Sequence, residues 1–201
     1  MTRAGDGGRW QVGRHLLELG TAYLDSVEIR SEARDLMKNL TADTGETCAL
    51  GVLDEDRVVY IEKVNSPHPI RMHSAIGRSN PAVSSSLGRA ILAFSSDEVI
   101  EQIVADGLPR RTEQTITSAE ALLAELGRCR DRGYSIDNGE NESGICAAAA
   151  PVLDHSNHPV AALSVAGPQQ RISPARLDEL GRATADVARK LSIRLGRRVH
   201  T

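Results

Sequence analysis

The residues with the clearest chemical potential lie in one acidic loop, Asp137-Asn138-Gly139-Glu140-Asn141-Glu142. The loop leads directly into the apolar run Ile145–Leu153, which a polar turn joins to a second apolar run, Val160–Ala166. Small and β-branched residues bounded by turn formers are typical of buried strands, so the pattern predicts an antiparallel strand pair. Carboxylates beside such a pair can orient a polar small molecule, and they can equally form a solvated loop. The spacing alone leaves both interpretations open.

A second candidate is an anion site at the turn Gly77-Arg78. Glycine lets a ligand approach backbone N–H groups closely, and a helix starting near Ser84 would aim unpaired N–H groups and its positive dipole end at the same region. Hydroxyl groups at Ser84–Ser86 and Ser164, together with Asp137, would suit the carboxylate and hydroxyls of a small polyol acid. A hairpin turn followed by an ordinary helix N-cap explains the same residues.

Metal and covalent chemistry are poorly supported by the sequence. His155 and His158 lie in a five-residue polar turn, and the three cysteines are far apart, so zinc-ligand spacing is absent. No G-x-S-x-G elbow surrounds Ser84–Ser86, and no glycine-rich dinucleotide loop follows a strand. We therefore predict a protein that is not an enzyme and uses no cofactor.

Composition narrows the class of protein further. The chain has 201 residues, a net charge of −3 and 2% aromatic residues. This length is enough for one domain whose core needs no disulfides or metals. The acidic balance and the scarcity of aromatic side chains argue against direct binding of nucleic acid. Unpaired cysteines, the lack of a leader and the shortness of the apolar runs predict a soluble cytoplasmic protein without a membrane partner.

The remaining patterns predict the elements that position the candidate residues. Residues 1–12 are expected to form a disordered start ending in the strand-like segment Arg9–Val12, and helical spacing over residues 13–40 predicts one long helix or two collinear ones. In residues 41–201 the strands come in hairpins, which predicts an α+β fold with an antiparallel sheet flanked by helices. The predicted strands are Thr47–Leu53, Arg57–Val64, Ile70–Ile76, Ile145–Leu153 and Val160–Ala166, and the helices follow Ser84–Ser86, Ser95–Glu98, Thr117–Glu120 and Ser173-Pro174.

Several separated stretches resemble the effector-binding domain of IclR-type transcriptional regulators, and together they span roughly residues 10–196. Three stretches, one of which is shared with the first set, further resemble the subgroup that responds to 2-keto-3-deoxygluconate, an intermediate of pectin and uronate breakdown. The stretches that resemble the family are Arg71–Pro81, Ser86–Ala93, Gly133–Gly144 and Ala162–Pro168, and those that resemble the subgroup are Val59–Lys63, Arg71–Pro81 and Arg111–Ser118.

The resemblance implies a GAF-like domain that encloses a pocket for a small carboxylic acid, preceded by a linker helix over residues 13–40. Residues 9–20 resemble the end of the wing of a winged helix-turn-helix and the start of that linker. The recognition helix is absent from this sequence, so either the DNA-binding half has been removed or the gene encodes only the sensor half. The implied function is effector sensing and oligomerisation, as a homodimer or tetramer, in a repressor of sugar-acid catabolism that contacts DNA only through the missing part.

The resemblance also assigns residues to the effector pocket. Gly77 and Arg78 match a loop whose amides meet the effector carboxylate. Asp137 matches a carboxylate that hydrogen-bonds the ligand, and Ser164 matches a pocket hydroxyl. With Ser84 from the helix N-terminus, these residues form most of the predicted effector site.

At two further pocket positions the sequence departs from the family pattern. The family's frequent pocket cysteine falls on Ala147, and strand alternation should turn Cys146 to the other face. The family's second serine falls on Ala166. The expected pocket is therefore roomier and less polar than that of glyoxylate- or pyruvate-responsive members. A ligand-free dimerisation module and an enzyme acting on keto acids are the alternative functions.

Overall fold

The computed structural model describes residues 2–4, 9–11, 14–72 and 74–198. Its strands are β1 (Thr2–Ala4), β2 (Arg9–Gln11), β3 (Thr47–Asp54), β4 (Arg57–Val64), β5 (Ser79–Pro81), β6 (Ser135–Asn138), β7 (Ile145–Leu153) and β8 (Pro159–Pro168). Its α-helices are α1 (Arg14–Ser26), α2 (Glu28–Thr44), α3 (Ser86–Leu92), α4 (Asp97–Asp106), α5 (Ala119–Arg132) and α6 (Pro174–Arg194), and a short 3-10 helix covers Gln169–Arg171.

Within these residues, six strands form one antiparallel sheet in the order β5-β4-β3-β8-β7-β6. Helices α2 and α6 cover one face of the sheet, and α3 covers the other. Because both faces are buried, β7 and β8 consist of nearly continuous small and apolar residues instead of alternating with polar ones. The predicted α+β fold with an antiparallel sheet flanked by helices is confirmed.

The long C-terminal helix α6 illustrates how the sequence fixes an element. The Ser173 hydroxyl accepts the N–H of Arg176 at 3.2 Å, and Pro174 occupies the first turn, where a missing N–H does no harm. Its buried side chains recur every three or four residues, which keeps them on the face that packs against β7. The buried residues of this face include Leu177, Leu180, Thr184, Ala188 and Leu191.

The predicted third strand, Ile70–Ile76, is wrong. Residues 67–70 form a bend, and the strand that pairs with β4 on the side away from β3 is the three-residue β5. Pro67 and Pro69 cannot donate to a strand ladder, and the side chain of Ile70 is 73% exposed, so the apolar alternation of this stretch does not reflect burial. His73, which the predicted strand contained, lies outside the described residues.

The N-terminal residues differ from the expected disordered start. Thr2–Ala4 and Arg9–Gln11 form an antiparallel pair, so the strand-like segment finds its partner before it in the chain. Residues 1, 5–8, 12 and 13 lie outside the described part. Two helices then occupy the predicted linker region, and extended backbone at Val27 (φ −83°, ψ 92°) separates them.

Helix α2 is tied to the sheet by a buried carboxylate on β4. The Glu62 side chain is only 8% exposed and accepts hydrogen bonds from Arg30 Nη2 at 3.2 Å and Arg34 Nη2 at 3.0 Å. Burial works to raise the pKa of Glu62, but the backbone N–H of Lys63 and the two guanidinium groups outweigh it and lower the pKa. The charge on Glu62 therefore stabilises the contact between linker and sheet.

Replacing Glu62 by glutamine should destabilise the protein by about 1.5–3 kcal/mol at neutral pH, because the two guanidinium groups lose their ion pairs with a carboxylate and keep only hydrogen bonds to an uncharged amide. The lowered pKa means that the ionised carboxylate stabilises the fold above its ordinary pKa of 4.5, and that this contribution is lost as the pH falls through the folded-state pKa. Urea melts of wild type and Glu62→Gln should therefore differ at pH 7 and converge in acid. Glu179→Gln, which removes an exposed partner of Arg176, is the control and should change stability by less than about 1 kcal/mol.

Candidate functional site

A small cavity, the inner chamber, lies between β7, β8 and the start of α3. It has room for about 20 Å³, which is close to the space for one water molecule. The chamber is lined by Tyr60, Met72, Ser85, Ser86, Leu87, Asp137, Asn141, Glu142, Ile145, Ala147, Ser164 and Ala166. Four residues of the predicted site therefore lie around one cavity: Asp137, Ala147, Ser164 and Ala166.

Asp137 is the buried titratable group of the inner chamber. Its side chain is 4% exposed, and its Oδ1 accepts the backbone N–H groups of Glu140 at 2.8 Å and Asn141 at 3.3 Å. Burial, followed by hydrogen bonding and charge repulsion with Glu140, raises the pKa of Asp137 to about 8, although the charge of Arg89 opposes the shift. At neutral pH this carboxyl is mostly protonated and can donate a hydrogen bond as well as accept one.

The acidic loop that carries Asp137 is fixed by side chains from other elements. Arg89 of α3 is fully buried, and its Nη2 donates to the carbonyl of Ile136 and pairs with Glu140 at 3.4 Å. Thr112 and Thr115 donate their hydroxyls to the carbonyls of Gly139 and Glu140, both at 2.7 Å. Of the two open interpretations, the structure therefore favours a loop held by specific hydrogen bonds over a solvated loop.

A larger cavity, the outer chamber, adjoins the inner one and shares Tyr60, Met72 and Glu142 with it. Its volume is about 230 Å³. The remaining lining residues are all polar or charged: Ser74, Arg78, Ser79, Asn80 and Arg111. Tyr60 lies between the two chambers, and its hydroxyl accepts a hydrogen bond from Asn80 Nδ2 at 3.1 Å.

The Gly77-Arg78 loop is not arranged as predicted. The N–H of Gly77 donates to the carbonyl of Tyr60 at 2.8 Å, and the N–H of Arg78 donates to Ala75 at 3.1 Å, so both amides already have acceptors. Gly77, at φ +82°, closes this turn onto β4 and faces an apolar groove beside α1 instead of the inner chamber. Only the side chain of Arg78 contributes to a polar cavity.

Ser84 is fully buried but lines neither chamber. Its hydroxyl donates a hydrogen bond to Asn141 Oδ1 at 3.1 Å. Ser84 therefore positions Asn141, which lines the inner chamber, without lining it itself. The N-cap of α3 is the next residue, Ser85, whose hydroxyl accepts the N–H of Gly88 at 3.1 Å. Helix α3 has seven residues, too short to give the strong dipole end that the anion-site hypothesis required.

The expected faces of β7 are confirmed. Ala147 points into the inner chamber, while Cys146 packs in the opposite core and hydrogen-bonds Asn138 Oδ1 at 3.2 Å. The larger side chains of Tyr60 and Leu87 also line this small chamber. Sequence reasoning missed these two residues and Arg89, whose signal was a lone charge within an otherwise apolar helix.

Two other kinds of site are not found among the described residues. No group of three or more His, Cys, Asp or Glu side chains in this part of the chain could hold a metal ion. None of its helices combines the length and apolarity needed to cross a membrane.

Comparison with known proteins gives one consistent result. A family model described as bacterial transcriptional regulator IclR C-terminal matches residues 21–193. The transcriptional regulator KdgR of Escherichia coli is 39% identical over 98% of this chain and 75% of its own length, and KdgR of Dickeya chrysanthemi is 36% identical over 98% and 65%. Among solved structures, IclR of Thermotoga maritima superposes with a TM-score of 0.86 at 33% identity, covering 96% of this chain and 78% of that one. The C-terminal domain of E. coli KdgR gives 0.75 at 39% identity, covering 84% and 98%.

Proposed function

The chain belongs to the IclR family of bacterial transcriptional regulators, and from that premise we propose that it senses a sugar acid of the 2-keto-3-deoxygluconate type. The proposal rests mainly on the position of Asp137. Its buried carboxyl lies in a hydrogen-bonded loop and lines a cavity that Ser164 also lines. A protonated carboxyl and a hydroxyl on the wall of one cavity suit a ligand that offers both hydrogen-bond donors and acceptors. The resemblance of Val59–Lys63 and Arg111–Ser118 to the 2-keto-3-deoxygluconate subgroup supports this ligand class.

Effector binding requires the inner chamber to enlarge. A cavity of about 20 Å³ excludes a keto acid, so a ligand must select a state in which Tyr60 and Met72 have moved outward. Met72 is part of the irregular stretch before β5, and Tyr60 is attached to that stretch by two backbone hydrogen bonds with residues 77 and 78. Opening the chamber would therefore displace the Gly77-Arg78 loop as well.

A bulge in β4 provides a route from the chamber to the linker. Leu50 pairs with Glu62 and Gly51 pairs with Tyr60, which leaves Ile61 without a partner on β3. The extra residue lets Tyr60 face the chamber while Glu62, two positions on, faces the arginines of α2. We propose that ligand-induced movement of Tyr60 reaches helix α2 through this bulge, and that a winged helix-turn-helix preceding α1 makes the contact with operator DNA.

Oligomerisation is the second part of the proposed function. Helix α1 exposes Leu16, Leu17, Leu19 and Tyr23, with exposed fractions between 47% and 73%. Exposed apolar side chains in such number on one helix are typical of an interface. We propose a homodimer or tetramer that buries them, and light scattering at micromolar concentration would reveal a monomer if this is wrong. The same surface is what favours the alternative of a ligand-free dimerisation module.

A thermal-shift screen tests the sensor function directly. At 100 times its dissociation constant a ligand adds about 2.7 kcal/mol to the free energy of unfolding, which is readily measured. The screen compares 2-keto-3-deoxygluconate with pyruvate, glyoxylate and an aromatic acid. A shift with the sugar acid is the expected result, a shift only with another acid keeps the sensor and rejects the ligand class, and no shift with any acid favours the dimerisation module.

A further inference from the structure

We infer that the outer chamber binds the carboxylate of the effector through the guanidinium groups of Arg78 and Arg111, and that the inner chamber receives the hydroxylated end. This inference rests on the proposed function, because it assigns the two ends of the ligand within the same site. In this assignment two arginine side chains bind the anion. The backbone amides of the Gly77-Arg78 loop do not, because they already donate to backbone carbonyls.

The distribution of charge supports this orientation. Arg78 and Arg111 both line the outer chamber, and neither forms an ion pair with any residue in the described part of the chain. Glu142 is the carboxylate that lines the outer chamber, so the two arginines leave a net positive charge there. The inner chamber is lined by the carboxylate of Glu142, by Asp137, which is mostly neutral at pH 7, and by no cationic side chain among the described residues. An anionic group is therefore attracted to the outer chamber and repelled from the inner one.

A buried, unpaired hydroxyl in the outer chamber supports ligand binding independently of charge. Ser74 is 6% exposed and lines the chamber, yet its Oγ has no hydrogen-bond partner within the described structure. Its backbone is held in place, because the Ser74 carbonyl accepts a hydrogen bond from Lys63 Nζ at 2.5 Å. Unsatisfied buried hydroxyls are uncommon in native proteins, and a ligand oxygen at this position would satisfy it.

The size and continuity of the two chambers define the class of ligand. The outer chamber, at about 230 Å³, is smaller than the roughly 300–1,000 Å³ of typical drug-sized sites, so it suits a small polar molecule. Tyr60, Met72 and Glu142 border both chambers, so a ligand that displaces Tyr60 can extend from one into the other. An extended acid with a carboxylate at one end and hydroxyls at the other, such as 2-keto-3-deoxygluconate, matches this arrangement.

Isothermal titration of 2-keto-3-deoxygluconate into wild type, Arg111→Gln, Arg78→Gln and Ser74→Ala tests the assignment. Each arginine variant should bind about 10- to 100-fold more weakly, which is the expected effect of losing a charge-assisted hydrogen bond. Ser74→Ala should bind about tenfold more weakly. Arg110→Gln is the matched control: Arg110 is also exposed and adjacent in sequence, but it is not among the residues that line either chamber, so its affinity should equal that of wild type. Arg111→Lys, which keeps the charge, should recover part of the affinity.

The outcomes separate the two proposals. If wild type binds the acid but Arg111→Gln and Arg78→Gln bind as tightly as Arg110→Gln, the outer-chamber assignment is overturned and the sensor function stands. If wild type binds no sugar acid, both proposals fall. Unliganded melting curves of the arginine variants should coincide with that of wild type, because the replaced guanidinium groups make no ion pair in the described part of the chain.

Discussion

Replacing Asp137 by alanine is expected to weaken effector binding by at least about 100-fold, whereas Asp137→Asn should keep most of the affinity. Alanine removes the hydrogen bond to the ligand, and it also leaves the N–H groups of Glu140 and Asn141 without the acceptor that holds the acidic loop in place. Each unpaired buried group costs about 1–3 kcal/mol of stability, so the loop of the free variant leaves this conformation and part of the binding free energy is used to restore it. Asparagine has the same shape, and its Oδ1 can accept both N–H groups. Titration of 2-keto-3-deoxygluconate into the three proteins at neutral pH provides the measurement.

The pH dependence of binding distinguishes a protonated Asp137 from an ionised one. An anionic ligand that also excludes water from the chamber favours the neutral carboxyl, so binding should weaken as the pH rises through about 8, the pKa of Asp137. Asp137→Asn cannot ionise and should show a flat profile over the same range. Equal pH profiles for wild type and Asp137→Asn would show that this carboxyl does not titrate at the site.

The free energy of unfolding of the unliganded protein should also depend on the ionisation of Asp137. The pKa of Asp137 is raised from an ordinary value of 3.8 to about 8, so between these values the folded state holds a proton that the unfolded chain has released. The stabilising contribution of the neutral carboxyl is complete below pH 3.8 and is lost as the pH rises through 8. Asp137→Asn should therefore match wild type in acid and become the more stable protein at pH 9, as measured by urea melts.

Much of this site was accessible from sequence because it depends on local periodicity. Ala147 and Cys146 lie on opposite faces of β7 since side chains alternate along a strand, and Asp137 precedes that strand by a short turn-rich segment. The strand pair itself followed from two apolar runs joined by a polar turn. These features need only neighbours in sequence, which is why they were predictable.

The rest of the site depends on contacts between segments that are distant in the chain, and sequence periodicity does not predict such contacts. The bulge at Ile61 breaks the two-residue alternation of β4, so the direction of Tyr60 relative to Glu62 could not be deduced from spacing. Whether the Gly77 amide is free depends on its approach to the Tyr60 carbonyl, a contact between separate segments. Arg89 is buried in an apolar helix because its partners, the Ile136 carbonyl and Glu140, lie about fifty residues away in the chain.

Gly88→Ala is expected to cause a large loss of stability, although alanine has the higher helix propensity and would by that criterion stabilise α3. A Cβ at position 88 would overlap the backbone carbonyl and Cα of Ala82, well inside the 3.0 Å that real Cβ contacts keep, and backbone atoms cannot move aside as a flexible side chain can. Helix α3 would have to shift away from the turn before it, and with it Arg89 and the wall of the inner chamber formed by Leu87. Overpacking of this kind costs about 1–3 kcal/mol or more.

Gly127→Ala is the matched control for that substitution. Gly127 also lies in a helix, α5, but a Cβ there would meet no atom within 4 Å, so only the backbone preference of alanine is added. That preference should stabilise the protein by about 0.5–1 kcal/mol. Thermal and urea melts of the two variants should therefore move in opposite directions from wild type. If Gly88→Ala instead gained stability as Gly127→Ala does, the close contact between α3 and Ala82 would not exist in solution, and the position of Arg89 behind the acidic loop would lose its structural basis.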